Sequence, residues 1–394
     1  MNLARQRIDL AERGSRDLPR QEFSREMADW VARLYDKRVK VLRSSRGGWQ
    51  LQATAWVGIL PLGPGHSLYI EPKVPIHNLF RMLEWAWGAN FQAFEGLEEL
   101  TNLQDVYERL ARILALRVLH RLRRGLVRSY QPAADRLPYL RGRLDVSAHL
   151  REPESLSLPC RFEEQTTDID DNRILAWTLR VIALSGLVTD RSKDVVRQAF
   201  RGLSHQADVR PFRAADCVGR VYHRLNEDYR TLHALCRFFL ETSGPAHRRG
   251  QHWMIPFAVN TESLFEQFVA AWLRARLPAG LHLSTQAPLW LPGEPPVDLN
   301  PDLVVRDNLG HPIAVLDTKY KAGDKVTRAD LYQIHAYAAQ LGCSDAFLVY
   351  PEARQEVYDV TIGSLAPVRV RSVGFDLSGD LETAGRRLLA AILP

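Results

Sequence analysis

An apolar run, Pro312-Ile313-Ala314-Val315-Leu316, ends in the charged triplet Asp317-Thr318-Lys319, and no other feature of the sequence limits the fold so sharply. Consecutive apolar residues bounded by turn formers describe a strand interior to a sheet. At the end of such a strand, alternation sends Asp317 and Lys319 to one face and Thr318 to the other. Charged groups there are costly unless a metal or a ligand satisfies them. Upstream, Asp302 opens a second apolar run, and Asp307-Asn308-Leu309-Gly310 between the two is a turn cluster in which Gly310 supplies positive φ. The resulting hairpin brings Asp302 towards Asp317. The two carboxylates then suit Mg²⁺, a hard ion that keeps several waters and completes its shell with phosphate oxygens. Lys319 stands where it can orient or deprotonate an attacking water and stabilise charge developing on a phosphate.

Around this hairpin the periodicity predicts helix 262–276, strand 282–288, strand 302–306, strand 312–320, helix 328–341 and strand 345–350, an α-β-β-β-α-β order. The segment GPAHRRGQ, 244–251, joins Gly, Pro and charge between two periodic stretches and predicts a linker, so a separate domain spans 250–394. Between 101 and 245 the spacing is helical, with helices predicted at 103–125, 172–187, 190–203 and 214–241. Residues 1–100 alternate in short runs such as Trp49-Gln50-Leu51-Gln52-Ala53 and predict a β-rich module with helices near 21–35 and 79–87. The expected fold class is therefore an α+β N-terminal region and a helical middle region followed by an α/β domain.

At 394 residues the chain exceeds a usual single domain, and no segment approaches the roughly 18 apolar residues that a membrane span requires. The opening stretch is charged throughout and lacks the apolar region of a secretory signal, which favours the cytoplasm. Cys160, Cys217, Cys236 and Cys343 lie far apart, and suggest neither a disulfide framework nor a zinc site. A net charge of +6 suits a polyanionic partner. Only 7 lysines stand against 45 arginines, yet Lys319 and Lys321 both fall in the acidic constellation, where a compact ammonium does what a planar guanidinium cannot. The arginines between Arg109 and Arg124 form a run that is a solvated helix face more often than a DNA-tracking surface. No G-x-x-x-x-G-K-[ST] loop is present, so the standard cradle for nucleotide phosphates is lacking.

Pro301-Asp302 followed by Asp317-Thr318-Lys319 resembles the PD-(D/E)xK nuclease signature, and the element order resembles that superfamily's core. Gln333 and Tyr337, one helical turn apart, are similar to the QxxxY element of RecB-like nucleases. Leu264-Phe265-Glu266 is similar to the segment that carries an additional acidic ligand. Glu266 is the implied residue, and Glu262, one turn earlier, competes with it, although first-turn acids also complement the helix dipole. Three blocks extend the likeness: Ala55-Trp56-Val57-Gly58-Ile59 with Leu68 to Lys73, Arg141 to Asp145 with Asn172-Arg173-Ile174-Leu175, and the Asp302 to Lys321 region. Together they resemble McrC, the nuclease subunit of McrBC-type modification-dependent restriction systems.

That resemblance implies a phage-defence endonuclease that uses Mg²⁺, with Mn²⁺ able to substitute, to hydrolyse double-stranded DNA carrying a modification such as 5-methylcytosine. It implies Asp302, Asp317, Lys319, Glu266 and Gln333 as catalytic residues, with Asp302, Asp317 and Glu266 as metal ligands. Lys321, Lys325 and Tyr337 are candidate nucleic-acid contacts. The implied partner is a McrB-like AAA+ GTPase hexamer, engaged by residues 1 to about 245. Two alternatives stay open, a stand-alone RecB-like repair or defence nuclease and an inert adaptor that activates a partner NTPase.

Overall fold

The computed structural model describes residues 6–63, 66–88, 102–243, 247–249, 252–286, 289–291, 297–320, 326–352, 358–363 and 367–393. Sequence periodicity drew three segments; the chain forms two compact units, Met1–Val106 with Phe257–Pro394, and Tyr107–Pro256. The reason is a shared sheet. Strand Phe257–Asn260 pairs antiparallel with Trp56–Gly63, in the order Gln6–Ala11, His66–Glu71, Trp56–Gly63, Phe257–Asn260. Its last residue, Asn260, then caps the helix Thr261–Arg276, with its side chain accepting from the Glu262 and Ser263 amides. Ile8, Leu10, Leu51, Leu60, Leu68 and Ile70 fill the N-terminal core together with Val31 of the helix Arg25–Leu34 and Tyr35 that caps its end. Each such side chain contributes roughly 1.5–3 kcal/mol on burial.

Gly58 shows how closely the two parts of this unit meet. It sits opposite Ala258 with φ +153°, and a Cβ there would fall 2.1 Å from the Phe257 carbonyl oxygen. Gly58→Ala is expected to destabilise the chain by about 3 kcal/mol, read from chemical denaturation, because backbone rather than a flexible side chain must give way. A loss below about 0.5 kcal/mol would mean that the sheet does not extend across Phe257–Asn260.

The second sheet of this unit has six strands, in the order His282–Thr285, Leu303–Arg306, Pro312–Thr318, Asp345–Tyr350, Val368–Gly374, Asp359–Ile362. The first three pair antiparallel, Pro312–Thr318 runs parallel to Asp345–Tyr350, and that strand runs parallel to Val368–Gly374. Helix Arg328–Leu341 makes the crossover, as predicted, and the strand Asp345–Tyr350 also lies where predicted. Ile334, Tyr337 and Ala338 of this helix pack on Val304, Val315, Leu348 and Val370. Ala314, Val315 and Leu316 are at most 1% exposed, so the apolar run is interior. The strand ends at Thr318 rather than 320, and the sheet continues through Val368–Gly374 and Asp359–Ile362, beyond the predicted order. The turn behaves as its chemistry requires: Asp307 Oδ1 accepts from the Leu309 and His311 amides, and Gly310 has φ +84°.

The middle unit holds helices Asp170–Leu184, Asp190–Ser204 and Asp228–Thr242 with most of Leu103–Arg124. The predicted helix 214–241 is broken. Only a short 3₁₀ turn, Ala214–Cys217, precedes Gly219 at φ +75°, and the buried Asn226 side chain ties the following loop by accepting from the His223 amide and donating to the Val221 carbonyl. An antiparallel sheet of Ser129–Leu137, Arg143–Leu144 and Leu158–Thr166 was not foreseen; its residues are mostly exposed and leave no apolar alternation. Asn172 is fully buried, donating to the Val127 and Thr167 carbonyls and accepting from the Tyr229 hydroxyl, while Arg173 forks onto Asp168. That block of the resemblance is therefore architectural. Of the predicted linker, 244–246, 250 and 251 lie outside the described residues, and His247–Arg249 pairs with His252–Met254 in a ribbon. Among the described residues, no helix is long and apolar enough to cross a membrane.

Candidate functional site

The ladder between Leu303–Arg306 and Pro312–Thr318 pairs Leu303 with Leu316, so one step further Asp302 stands across from Asp317. Val304 and Val315 both lie under the helix Arg328–Leu341. Asp302 and Asp317, each two residues away, therefore share that face, as Lys319 does. Beyond the last ladder residue, the Lys319 amide donates to the Val349 carbonyl at 2.8 Å, which keeps the backbone against the parallel neighbour.

Asp302 is held by a residue to which alternation gave no role. Its Oδ2 accepts from both the amide and the hydroxyl of Thr318, each at 2.7 Å. Thr318 is the final residue of its strand, where the pleat no longer dictates direction, and its hydroxyl turns to the carboxylate instead of away. Asp317 is 2% exposed, and the Lys319 ammonium lies 2.5 Å from its Oδ2. Lys319 also donates to Gln333 Oε1 at 2.9 Å and sits 3.7 Å from Asp330 Oδ1. Gln333 in turn donates to the Tyr337 hydroxyl at 2.8 Å. The i, i+4 pair thus forms a relay ending on the lysine, with Tyr337 only 5% exposed. That burial gives Tyr337 the task of fixing Gln333 and leaves it little surface for a nucleic-acid contact. Asp330 was missed, although the T-x-x-D spacing of Thr327 and Asp330 is a helix-start signature, and its carboxylate closes that capping box.

The two acidic candidates of the helix Thr261–Arg276 part company. Glu262 is committed to an ion pair with Arg13, whereas Glu266 accepts from Gln286 Nε2 at 3.0 Å. The Gln286 amide donates to the Asp302 carbonyl at 3.0 Å. Burial, and then the nearby Asp302 charge, raise the Glu266 carboxyl above its usual range. Among the described residues no three His, Cys, Asp or Glu side chains gather as a ready-made metal cluster. Asp302 and Asp317 form an opposed pair, and Glu266 is tied electrostatically to Asp302. Lys321 and Lys325 lie outside the described residues.

The charges explain what such a pair wants. Burial, the Asp302 charge and the Asp330 charge push Asp317 up to about 6, against the pull of Lys319. Burial alone would lower Lys319, but Asp317, Asp330 and Asp302 outweigh it and hold the ammonium above its ordinary value. Several carboxylates around one cation leave an excess of negative charge, and hard oxygen donors of this kind suit a divalent cation such as Mg²⁺. A raised carboxyl stabilises the fold fully below its unfolded value of 3.8, and that contribution is lost as pH rises through about 6. Metal-free protein is expected to melt at a higher temperature at pH about 5 than at about 7, with Asp317→Asn flattening the slope. An identical slope in the variant would refute the assignment.

The family described as "McrBC 5-methylcytosine restriction system component" matches residues 51–351. The Type IV methyl-directed restriction enzyme EcoKMcrBC of Escherichia coli (strain K12) is 25% identical over 224 residues, which cover 52% of this chain and 61% of that protein. The chain thus spans under two thirds of that relative. By fold it is similar, with a TM-score of 0.63 and 18% identity, to a chain in the structure described as a refined half-complex from a tetradecameric assembly of Thermococcus gammatolerans McrB AAA+ hexamers with bound McrC; the likeness covers 98% of this chain and 100% of that one. The matched span 51–351 takes in the strands Trp56–Gly63 and His66–Glu71 as well as Asp302, Asp317, Lys319 and Gln333, and the chain belongs to the McrBC 5-methylcytosine restriction system component family.

Proposed function

We propose that the chain is an McrC-like nuclease subunit of the PD-(D/E)xK type, which hydrolyses phosphodiester bonds in modified double-stranded DNA and stimulates a McrB-like AAA+ GTPase partner in the cytoplasm. The observation that carries this reading is the pairing of Asp302 with Asp317 on one sheet face, with the Lys319 ammonium 2.5 Å from the second carboxylate. The antiparallel ribbon, crossover helix and parallel strand around them support that reading.

Asp302 and Asp317, with Glu266 near the first, are the residues that would hold Mg²⁺ or Mn²⁺. The ion would supply a Lewis acid for the phosphate and for water. Thr318 fixes the Asp302 carboxylate for that purpose. Lys319, kept charged by its acidic neighbours and aimed by Gln333, directs a donor at the attacking water or at the oxygen where charge accumulates. Supporting the motor partner, the sequence has no phosphate-cradling loop of its own, and the similar solved chain comes from an assembly described by McrB hexamers with bound McrC.

The test is cleavage of modified and unmodified duplex DNA by the purified chain, with and without the AAA+ partner and GTP, in Mg²⁺ or in a chelator. Cutting that needs the modification, the partner, GTP and the ion supports the proposal. Robust cutting by the chain alone with Mg²⁺ would favour a stand-alone nuclease, and no cutting under any condition would favour the adaptor.

A further inference from the structure

Sheet pairing runs out at Thr318, yet the lysine that follows must be placed to within a few tenths of an ångström if it is to serve a phosphate. What grips the chain there comes from far away in the sequence. Glu12, at the end of the strand Gln6–Ala11, is 0% exposed. Its Oε2 accepts from the Tyr320 hydroxyl at 3.3 Å and from the Lys73 amide at 3.0 Å, and its Oε1 accepts from the Thr261 hydroxyl at 2.5 Å. A buried carboxylate survives only where its lone pairs are filled, and these three donors come from three separate segments. Arg13 takes hold of Tyr320 as well. Its Nη2 donates to the Tyr320 carbonyl at 2.5 Å, and its guanidinium lies 5.9 Å from the centre of the Tyr320 ring. Glu262 completes the clamp by pairing with Arg13. Arg13 also adopts φ +53°, a left-handed conformation that a non-glycine residue holds only when its surroundings impose it.

We infer that Glu12 and Arg13, from the N-terminal segment, are positioning residues for the nuclease centre: by clamping Tyr320 at its hydroxyl and its carbonyl, they fix the backbone that presents the Lys319 ammonium. The inference rests on the nuclease reading above and deepens it. Thr261 is the first residue of the helix that carries Glu266, so Glu12 joins the start of that helix to the end of the Asp317 strand. One buried carboxylate thereby sets the spacing between two acidic elements of the site. The N-terminal sheet is on this account part of the catalytic scaffold, which explains why it shares a strand with the C-terminal segment.

Tyr320→Phe tests the inference gently, because the ring stays packed and only the hydroxyl is lost. Full-length Tyr320→Phe, Glu12→Gln and the double variant are compared with the parent chain in the presence of partner, GTP, Mg²⁺ and modified duplex DNA. Each single variant is expected to lower kcat by about tenfold with KM for DNA unchanged, the scale of one charge-assisted hydrogen bond. The double variant should be no worse than the poorer single variant, because Tyr320→Phe removes the hydrogen bond whose charge assistance Glu12→Gln takes away. Hydrogen exchange at the Lys319 amide should quicken in all three without metal, while stimulation of GTP hydrolysis holds. Unchanged kcat in a folded Tyr320→Phe protein would overturn the inference, as would fully additive losses in the double variant. Asp317→Ala, run alongside, separates the two failures. If it retains cleavage the nuclease reading itself falls, and if it is dead while Tyr320→Phe and Glu12→Gln cut normally only the clamp falls.

Discussion

Asp317→Ala is expected to abolish DNA cleavage, by on the order of a thousandfold or more, while leaving stimulation of the partner's GTP hydrolysis in place. The carboxylate stands opposite Asp302 with the Lys319 ammonium against it, so its removal takes away one of the two paired carboxylates proposed to hold the ion and frees the lysine from its closest anchor. The fold should tolerate the change. Asp317 is 2% exposed and its carboxyl is pushed up to about 6, chiefly by burial, which means that the native chain bears a cost for keeping a charge there. Alanine removes that cost and loses a few side-chain atoms at the edge of the core, so the variant's melting temperature should stay near that of the parent or rise. Cleavage, melting and GTP hydrolysis measured on one preparation give the answer. Cutting within about tenfold of the parent would remove Asp317 from the chemistry. Simultaneous loss of GTPase stimulation would instead show that the sheet end and the partner-facing surface are not separable.

What the sequence made legible was whatever has a local cause. The hairpin at Asp307 to Gly310 could be read because a side-chain cap and a positive φ need particular residues at fixed places. The helix Arg328–Leu341 lies where the spacing predicted it, and its ends carry marks that the prediction did not use, Thr327 with Asp330 at the start and Gly342 at φ +70° after the finish. Asp302, Asp317, Lys319 and Gln333 do come together, since two strands in register and one crossover helix suffice to gather them. The role of Thr318 was hidden because alternation governs a side chain only inside the ladder. Glu12 and Arg13 were hidden more deeply. Their partners Thr261, Glu262 and Tyr320 lie in the opposite end of the chain, and a single buried polar contact leaves no periodic trace at either end. The strand Phe257–Asn260 is only four residues long and joins a sheet begun near residue 6, so no local pattern could place it there. Local chemistry therefore disclosed the acidic site, and only tertiary structure disclosed what holds it.

Lys319→Arg is expected to lower cleavage by about a hundredfold or more even though it preserves the charge. The pocket is built to the dimensions of one ammonium: the Lys319 side chain is 14% exposed, 2.5 Å from Asp317, 2.9 Å from Gln333 and 3.7 Å from Asp330. A guanidinium adds a planar fork of donors to that space and grips a carboxylate through two parallel hydrogen bonds, with further donors left for a neighbour. It would bridge Asp317 and Asp330, drawing the first away from Asp302 and neutralising the oxygens that a divalent ion needs. It would also displace Gln333, whose amide is set by the Tyr337 hydroxyl and cannot follow without breaking that bond. Raising Mg²⁺ should then restore little activity to Lys319→Arg, because the ligand pair is occupied as well as misplaced. Lys319→Met supplies the contrast: it removes the charge but leaves Asp302 and Asp317 free, so its metal affinity should hold while its turnover falls. Cleavage rates for both variants across a magnesium titration distinguish these effects. An arginine variant that cuts within about threefold of the parent would show that any cation at this position suffices, and that the compact lysine among so many arginines has no chemical reason to be there.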